Sequence, residues 1–236
     1  MEQLSKAPIR EAILNIIVKL PPNITINDIE KIHDIVKDEY PIKKDFIESK
    51  ATIGAQFFEA SKNKIGFSFF SDNNLQVMQP RLNSFIFNRL SPYENWNAFS
   101  SEANRLWQIY KEVTNPEITK LSLRYINTLE IPAKCELFDY LTTFPTVPPE
   151  MSQNIIGFLT RLIVTEPSIN CSANIIQLPE KTTDNTTTII LDIEVFTNPL
   201  YSISNGNLWD AFNILRDYKN KIFSASITQK LKEKYK

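Results

Sequence analysis

Four glycines, two cysteines and one histidine in 236 residues leave little material for several common chemistries. Gly54, Gly66, Gly157 and Gly206 stand singly, three of them within strand-like runs, so neither a phosphate-cradling loop nor a dinucleotide fingerprint can be assembled. Cys135 and Cys171 form no CxxC pair, so neither a disulfide framework nor a structural zinc site is implied. His33 would have to serve any Ser-His-Asp or Cys-His mechanism, and neither cysteine has a motif around it, so nucleophilic hydrolysis of that kind is disfavoured. His33 reads instead as a surface or boundary residue of a helix. No apolar run reaches the ~18 residues that span a bilayer. The opening stretch, MEQLSKAPIREAILNIIVKLPP, is broken by Arg10, Glu11, Asn15 and Lys19 and shows no small-residue cleavage site. The expectation is a cytoplasmic protein with no membrane association. A net charge of −1 and a pI near 6.0 give no general attraction to nucleic acid. The lysines of YKNKIFSASITQKLKEKYK are expected to solvate a terminal helix rather than grip phosphate.

The composition, 42% hydrophobic and 22% charged, is that of an ordinary globular chain. In the first run Ala12, Leu14, Ile16 and Val18 fall on one strand face and Glu11, Ile13, Asn15, Ile17 and Lys19 on the other. A helix follows, opened by Thr25 or Asn27, with Ile26, Ile29, Ile32 and Val36 at helical spacing and Pro41 beyond its end. Four strand-like runs, 49–60, 64–71, 74–80 and 83–90, read as an antiparallel meander with breaks at SKN, SDN and Pro80. A long helix then carries Trp96, Phe99, Ala103, Leu106, Trp107 and Tyr110 on one stripe, a core face rather than a cofactor box.

The order is then partly repeated. LSLRYINTLEIP, residues 121–132, is a strand with Leu121, Leu123, Tyr125, Leu129 and Ile131 on one face and Ser122, Arg124, Thr128 and Glu130 on the other. A short helix around CELFDYL, strands at 154–164, 169–178 and 186–196, and a helical region from Asn207 complete the chain. WNAF at 96–99 and WDAF at 209–212 lie at nearly equal distances from Ile9-Arg10 and Leu123-Arg124. The predicted fold class is therefore α+β: a curved antiparallel sheet backed by long helices, from duplication of a β-α-β(3-4)-α unit. It would form one domain, 1–236, with halves of about 7–116 and 117–225 and a C-terminal helical tail over 224–236. The element order of each half resembles that of the TATA-box-binding protein and of the helix-grip ligand-binding proteins, a likeness of order only that says nothing direct about function.

With helices on the apolar face, the polar face is left open, and its charged residues are the candidate site. Glu11, Arg124, Asp192, Glu194 and Glu130 are the candidate ligand- or partner-binding residues; Asp192 and Glu194 share a face because they stand two apart in a strand. A carboxylate-rich face around one arginine suits a basic or hydrogen-bonding partner better than a phosphate backbone. An ordinary cross-strand ion pair between Glu11 and Arg124 is the plainer alternative. Gln79, at the end of the Leu75, Val77 stripe, and Asn127, among Leu123, Tyr125 and Leu129, are read as structural polar groups. No catalytic residue, metal ligand or cofactor is assigned.

APIREAILNI, LQVMQPRLNSFIFNRLSPYENWNAF, LRYINTLEIP and LDIEVF together resemble the motif series of an uncharacterised, sporadically distributed bacterial and archaeal family. The resemblance runs from about residue 7 to 225 and implies that Pro8, Glu11, Gln79, Tyr93, Trp96, Arg124, Tyr125, Asn127 and Asp192 are its matching positions. A scattered distribution implies genes that travel between genomes, as phage-defence and toxin-antitoxin components do. The function expected is that of a non-catalytic binding or regulatory protein, a homo-oligomer or a monomer, that recognises a protein or small ligand on the open face. The alternatives are a carboxylate-dependent, metal-assisted or metal-free enzyme acting on a nucleotide or sugar, and a nucleic-acid binder.

Overall fold

The computed structural model describes residues 4, 6–53, 58–153, 155–198 and 208–236. These residues form an α+β chain with four α-helices and a nine-stranded antiparallel sheet. Two compact units divide it, 13–121 and 1–12 with 122–236, so that the first strand, β1 (Ile9–Lys19), and the sixth, β6 (Glu117–Pro132), each begin in one unit and end in the other.

Unit 13–121 contains α1 (Ile26–Val36), β2 (Ile42–Ile53), β3 (Phe58–Phe70), β4 (Gln76–Pro80), β5 (Ser84–Leu90) and α2 (Trp96–Thr114), with strand order β2-β3-β4-β5-β1-β6. Helix α1 starts at Thr25, whose backbone N–H donates to Asp28 Oδ2 at 3.0 Å. Such a carboxylate satisfies a donor that the first turn leaves without an intrahelical partner. Leu14, Ile16, Phe67, Phe69, Met78, Phe85 and Phe87 are fully buried from the strands, as are Ile29, Ile32, Ala103, Leu106 and Tyr110 from the helices. Phe85 lies 5.6 Å from both the Trp107 and Tyr110 rings and Phe87 5.4 Å from Phe99, which places the aromatic stripe of α2 in the core. Trp96, the first stripe residue, is only half-buried. His33 is half-buried too, 3.1 Å from the Tyr40 carbonyl and 4.8 Å from the Phe69 ring.

Two strand boundaries differ from the sequence reading. The run 49–60 is not one strand: it contains the end of β2 and the start of β3, with Gly54 among the residues outside the description. SKN at 61–63 is not a turn but lies within β3, because its backbone is held in register against β2 from Phe58 to Phe70. Polar composition marks a turn only where no neighbouring strand offers the same backbone a ladder.

The unit 1–12 with 122–236 contains β7 (Thr160–Glu166), β8 (Cys171–Thr182), β9 (Thr186–Thr197), α3 (Leu208–Ser226) and α4 (Gln229–Glu233), with strand order β1-β6-β9-β8-β7. Leu123, Tyr125, Leu129, Leu191, Ile193 and Val195 are buried on the face toward α3, where Phe212 and Leu215 are fully buried. The predicted helix at CELFDYL shrinks to a 3-10 turn, Leu137–Asp139, because the backbone just beyond it is engaged elsewhere: Thr228 N–H donates to the Tyr140 carbonyl at 2.9 Å and Thr142 N–H to the Ser226 carbonyl at 3.1 Å. The strand expected over 154–164 begins only at Thr160, and Gly157 lies outside it. Within 224–236, α3 runs to Ser226 and α4 follows after two residues.

The terminal lysines are also not all solvated. Lys230 and Lys234 pair with Asp139 and Glu130 at 2.7 and 3.3 Å. Lys219 is 7% exposed, its ammonium 3.8 Å from the centre of the Tyr125 ring. No described helix is long and apolar enough to cross a membrane.

Candidate functional site

Alternation along β6, β9, β8 and β7 places one set of side chains on the face away from α3. Register pairs Ser122 with Phe196 and Ser172, Arg124 with Glu194 and Asn174, and Ile126 with Asp192 and Ile176 across three strands. Asn174 continues to Ile163 on β7, and Ile176 to Arg161. Rows of side chains from neighbouring strands are the unit of interaction on such a face.

Arg124 is the centre of these rows. Its Nε donates to Asp192 Oδ1 at 2.8 Å and its Nη2 to Asp192 Oδ2 at 2.5 Å, a two-pronged ion pair. The pairing is diagonal, since Glu194 and not Asp192 stands opposite Arg124. Glu194 instead accepts from Ser122 Oγ at 2.6 Å. One row further along, Arg161 Nε donates to Asn174 Oδ1 at 2.8 Å. The Asp192 side chain is 10% exposed and that of Arg124 41%, so the fork rests on a covered carboxylate while the guanidinium meets solvent. The hydrogen bonds of Asp192 hold Arg124 above the ordinary arginine pKa; burial opposes this, and the charges of Asp192, Glu194 and Glu11 add to it. Arg124 is thus a permanent cation with carboxylates on several sides, and both oxygens of Asp192 are committed to it.

Glu11, Arg124, Asp192 and Glu194 therefore act on one another electrostatically. Glu11 acts on Arg124 through its charge. Glu130 stands apart: it is exposed, its side chain faces Lys234, and its backbone N–H donates to the Tyr235 hydroxyl at 3.2 Å. Among the described residues no group of three or more His, Cys, Asp and Glu is arranged to hold a metal ion.

The two residues read as structural differ in setting. Asn127 is 2% exposed and its Nδ2 donates to the Tyr125 and Leu191 carbonyls at 3.2 and 3.0 Å. Asn127→Ala strips that donor from two buried acceptors and is expected to cost about 2 kcal/mol; a urea midpoint within error of wild type would show the bonds to be idle. Gln79 is half-buried in the unit 13–121, with Nε2 3.3 Å from Asn88 Oδ1 and Oε1 accepting from Arg81. Arg81 lies 3.5 Å over the Phe46 ring, and burial draws its pKa down to about 10.

Asn174 and Arg161 escaped the sequence reading. Both occupy the polar positions of the alternation in INCSANIIQL and TRLIV, but which strand lies beside β9 is a matter of pairing that alternation does not contain. Lys219 stands at helical spacing with Phe212, Leu215 and Ile222, a signal that reading the terminal lysines as one solvated set passes over. No protein-family model and no curated protein sequence matches the chain.

Proposed function

We propose that the protein is a non-catalytic binding module whose partner docks on the open face centred on Arg124. One observation carries this reading. Arg124 is fixed in orientation by a two-pronged bond to a nearly covered Asp192, yet turns 41% of its side chain to solvent. A guanidinium held in this way loses little conformational freedom on binding and offers directed donors, while Glu194 beside it offers an acceptor. A partner presenting an acceptor group next to a donor or cation complements the pair.

The same bonds speak against acid–base work by Asp192, since a carboxylate bonded through both oxygens to a permanent cation is a poor proton acceptor. Nothing in the arrangement favours a nucleotide- or sugar-directed enzyme or a nucleic-acid binder over this reading. The sporadic distribution of the family that the sequence resembles supports placing the module in a mobile defence or toxin-antitoxin system, as a sensor, regulator or neutralising partner. A duplicated β-α-β-α origin for the two units is part of the same proposal, supported by the WNAF and WDAF segments.

The test is a pull-down from the native cells with wild type, Arg124→Ala and Glu194→Gln, each first shown to be folded. Arg124→Ala also leaves Asp192 without its partner, at an expected cost of about 1 to 2 kcal/mol. Glu194→Gln keeps the shape and the acceptor for Ser122 while removing a charge. Loss of one specific partner by tenfold or more in Arg124→Ala, with a smaller loss in Glu194→Gln, is the expected result. A partner retained equally by all three proteins would move the function off this face.

A further inference from the structure

Strand β7 lies at the end of the order β1-β6-β9-β8-β7 and, among the described strands, pairs only with β8. Among the described residues its outer edge is therefore a row of backbone N–H and C=O groups open to another strand. The side chains along it are apolar and exposed on both faces: Leu162 at 43%, Ile163 at 64% and Val164 at 38%. Ile156 and Leu159, just before it, are exposed at 101% and 70%. Of the twelve large hydrophobic residues exposed among the described ones, seven fall between Met151 and Val164.

The opposite end of the order is treated differently. Strand β2 carries Lys43, Lys44, Asp45 and Glu48, with Lys43 paired to Glu30 at 2.7 Å and Asp45 to Lys64 at 2.8 Å. Charge of this kind on an edge strand repels unwanted pairing. Between Arg161 and Glu166, β7 has none.

We propose that β7 is the contact through which a second copy of this chain associates, by antiparallel β7–β7 pairing about a twofold axis at Ile163. The residue pattern fits that partner. Thr160-Arg161-Leu162-Ile163-Val164-Thr165-Glu166 has the same polarity read from either end. A twofold axis normal to the sheet keeps each face with its own kind, so the two residues opposite each other must both be odd- or both even-numbered. With the axis at Ile163, Ile163 faces its counterpart, Leu162 faces Val164, Arg161 faces Thr165 and Thr160 faces Glu166. Apolar residues then meet on both faces and no like charges oppose each other. Centring the pair on Leu162 sets Arg161 against Ile163, and centring it on Val164 sets Glu166 against Leu162. Backbone bonds supply the attraction and the apolar rows fix the register, as in strand addition to an exposed edge. This inference does not depend on the role proposed for Arg124.

The test uses the full chain in sedimentation experiments up to about 100 μM, a range that reaches weak interfaces. Wild type is expected to dimerise, and Ile163→Lys and Ile163→Glu, each folded by circular dichroism, to be monomeric, because each sets like charges face to face at the axis. Mixing the two variants is expected to restore a dimer containing one of each. A wild type that stays monomeric throughout the range overturns the proposal. So does a dimer indifferent to both substitutions, or one lost in each and not recovered on mixing, since only self-apposition at residue 163 predicts the rescue.

Discussion

Gly66→Ala is expected to destabilise the unit 13–121 by about 3 kcal/mol, the upper end for inserting a single group into packed structure. The reason is space rather than backbone conformation. A Cβ on Gly66 would lie 2.5 Å from the Pro80 carbonyl oxygen and 2.8 Å from the Arg81 Cα, both main-chain atoms. Gly66 follows an irregularity in the β2–β3 register, where Phe46 pairs with Gly66 but Ile47 with Lys64, and it bridges directly to Arg81. The segment it meets cannot easily withdraw. Arg81 N–H donates to the Ser84 carbonyl at 2.9 Å, Leu82 N–H to the Ile65 carbonyl at 2.8 Å, and the buried Tyr110 hydroxyl to the Arg81 carbonyl at 2.8 Å. Gly157→Ala is the control, because nothing lies within 4 Å of its added Cβ and an effect below about 0.5 kcal/mol is expected. Urea denaturation followed by the fluorescence of the three tryptophans checks both. Equal midpoints for the two variants would mean that the β4 turn gives way freely and that the tight approach has no energetic weight.

Lys219→Met is expected to do the reverse and stabilise the protein, by about 3 kcal/mol at pH 6, with the gain fading toward pH 10. An unfolded lysine keeps its proton up to about 10.5, whereas burial, with a smaller push from the charge of Arg216, draws Lys219 in the folded protein down to about 7. Between those values the unfolded chain binds more protons than the folded one, so this group makes stability rise with pH across the window. Its destabilising effect is greatest below about pH 7, where folding must bury the cation. The shift corresponds to about 5 kcal/mol, and the ammonium over the Tyr125 ring at 3.8 Å returns about 1 to 2 of that. Cys171, pushed up to about 11, and the buried tyrosines Tyr40 and Tyr110, also raised, oppose the trend at alkaline pH. The difference between variant and wild type, measured by denaturation at several pH values, isolates Lys219. A difference that does not change with pH, or a variant less stable than wild type, would place the amine in contact with solvent.

Gly66 lies where sequence gives little warning, and the contrast with the legible parts has physical causes. The faces of β6 and β9 could be read because period-two alternation is a local property: Leu123, Tyr125 and Leu129 face inward, and Arg124 outward, whichever strands lie beside them. Helix α2 was legible for the same reason, since Phe99, Ala103, Leu106 and Tyr110 repeat at the helical period. The gathering of Arg124, Asp192 and Glu194 on one face followed from alternation once β6 and β9 were neighbours, but their bonding did not. Alternation permits Glu194, opposite Arg124, as its partner; the structure gives Arg124 to Asp192 on the diagonal and Glu194 to Ser122.

Chain sequence by itself determined the α+β class, the faces of β6 and β9 and the long helices. Only tertiary structure decided that SKN continues a strand, that CELFDYL makes no more than a 3-10 turn, and that Glu130 turns to Lys234. It also decided that β7 is an edge. The first group rests on periodicities that each segment carries within itself. The second rests on which distant segment supplies a backbone ladder, a carboxylate or an aromatic ring, and that is settled by packing the whole chain at once.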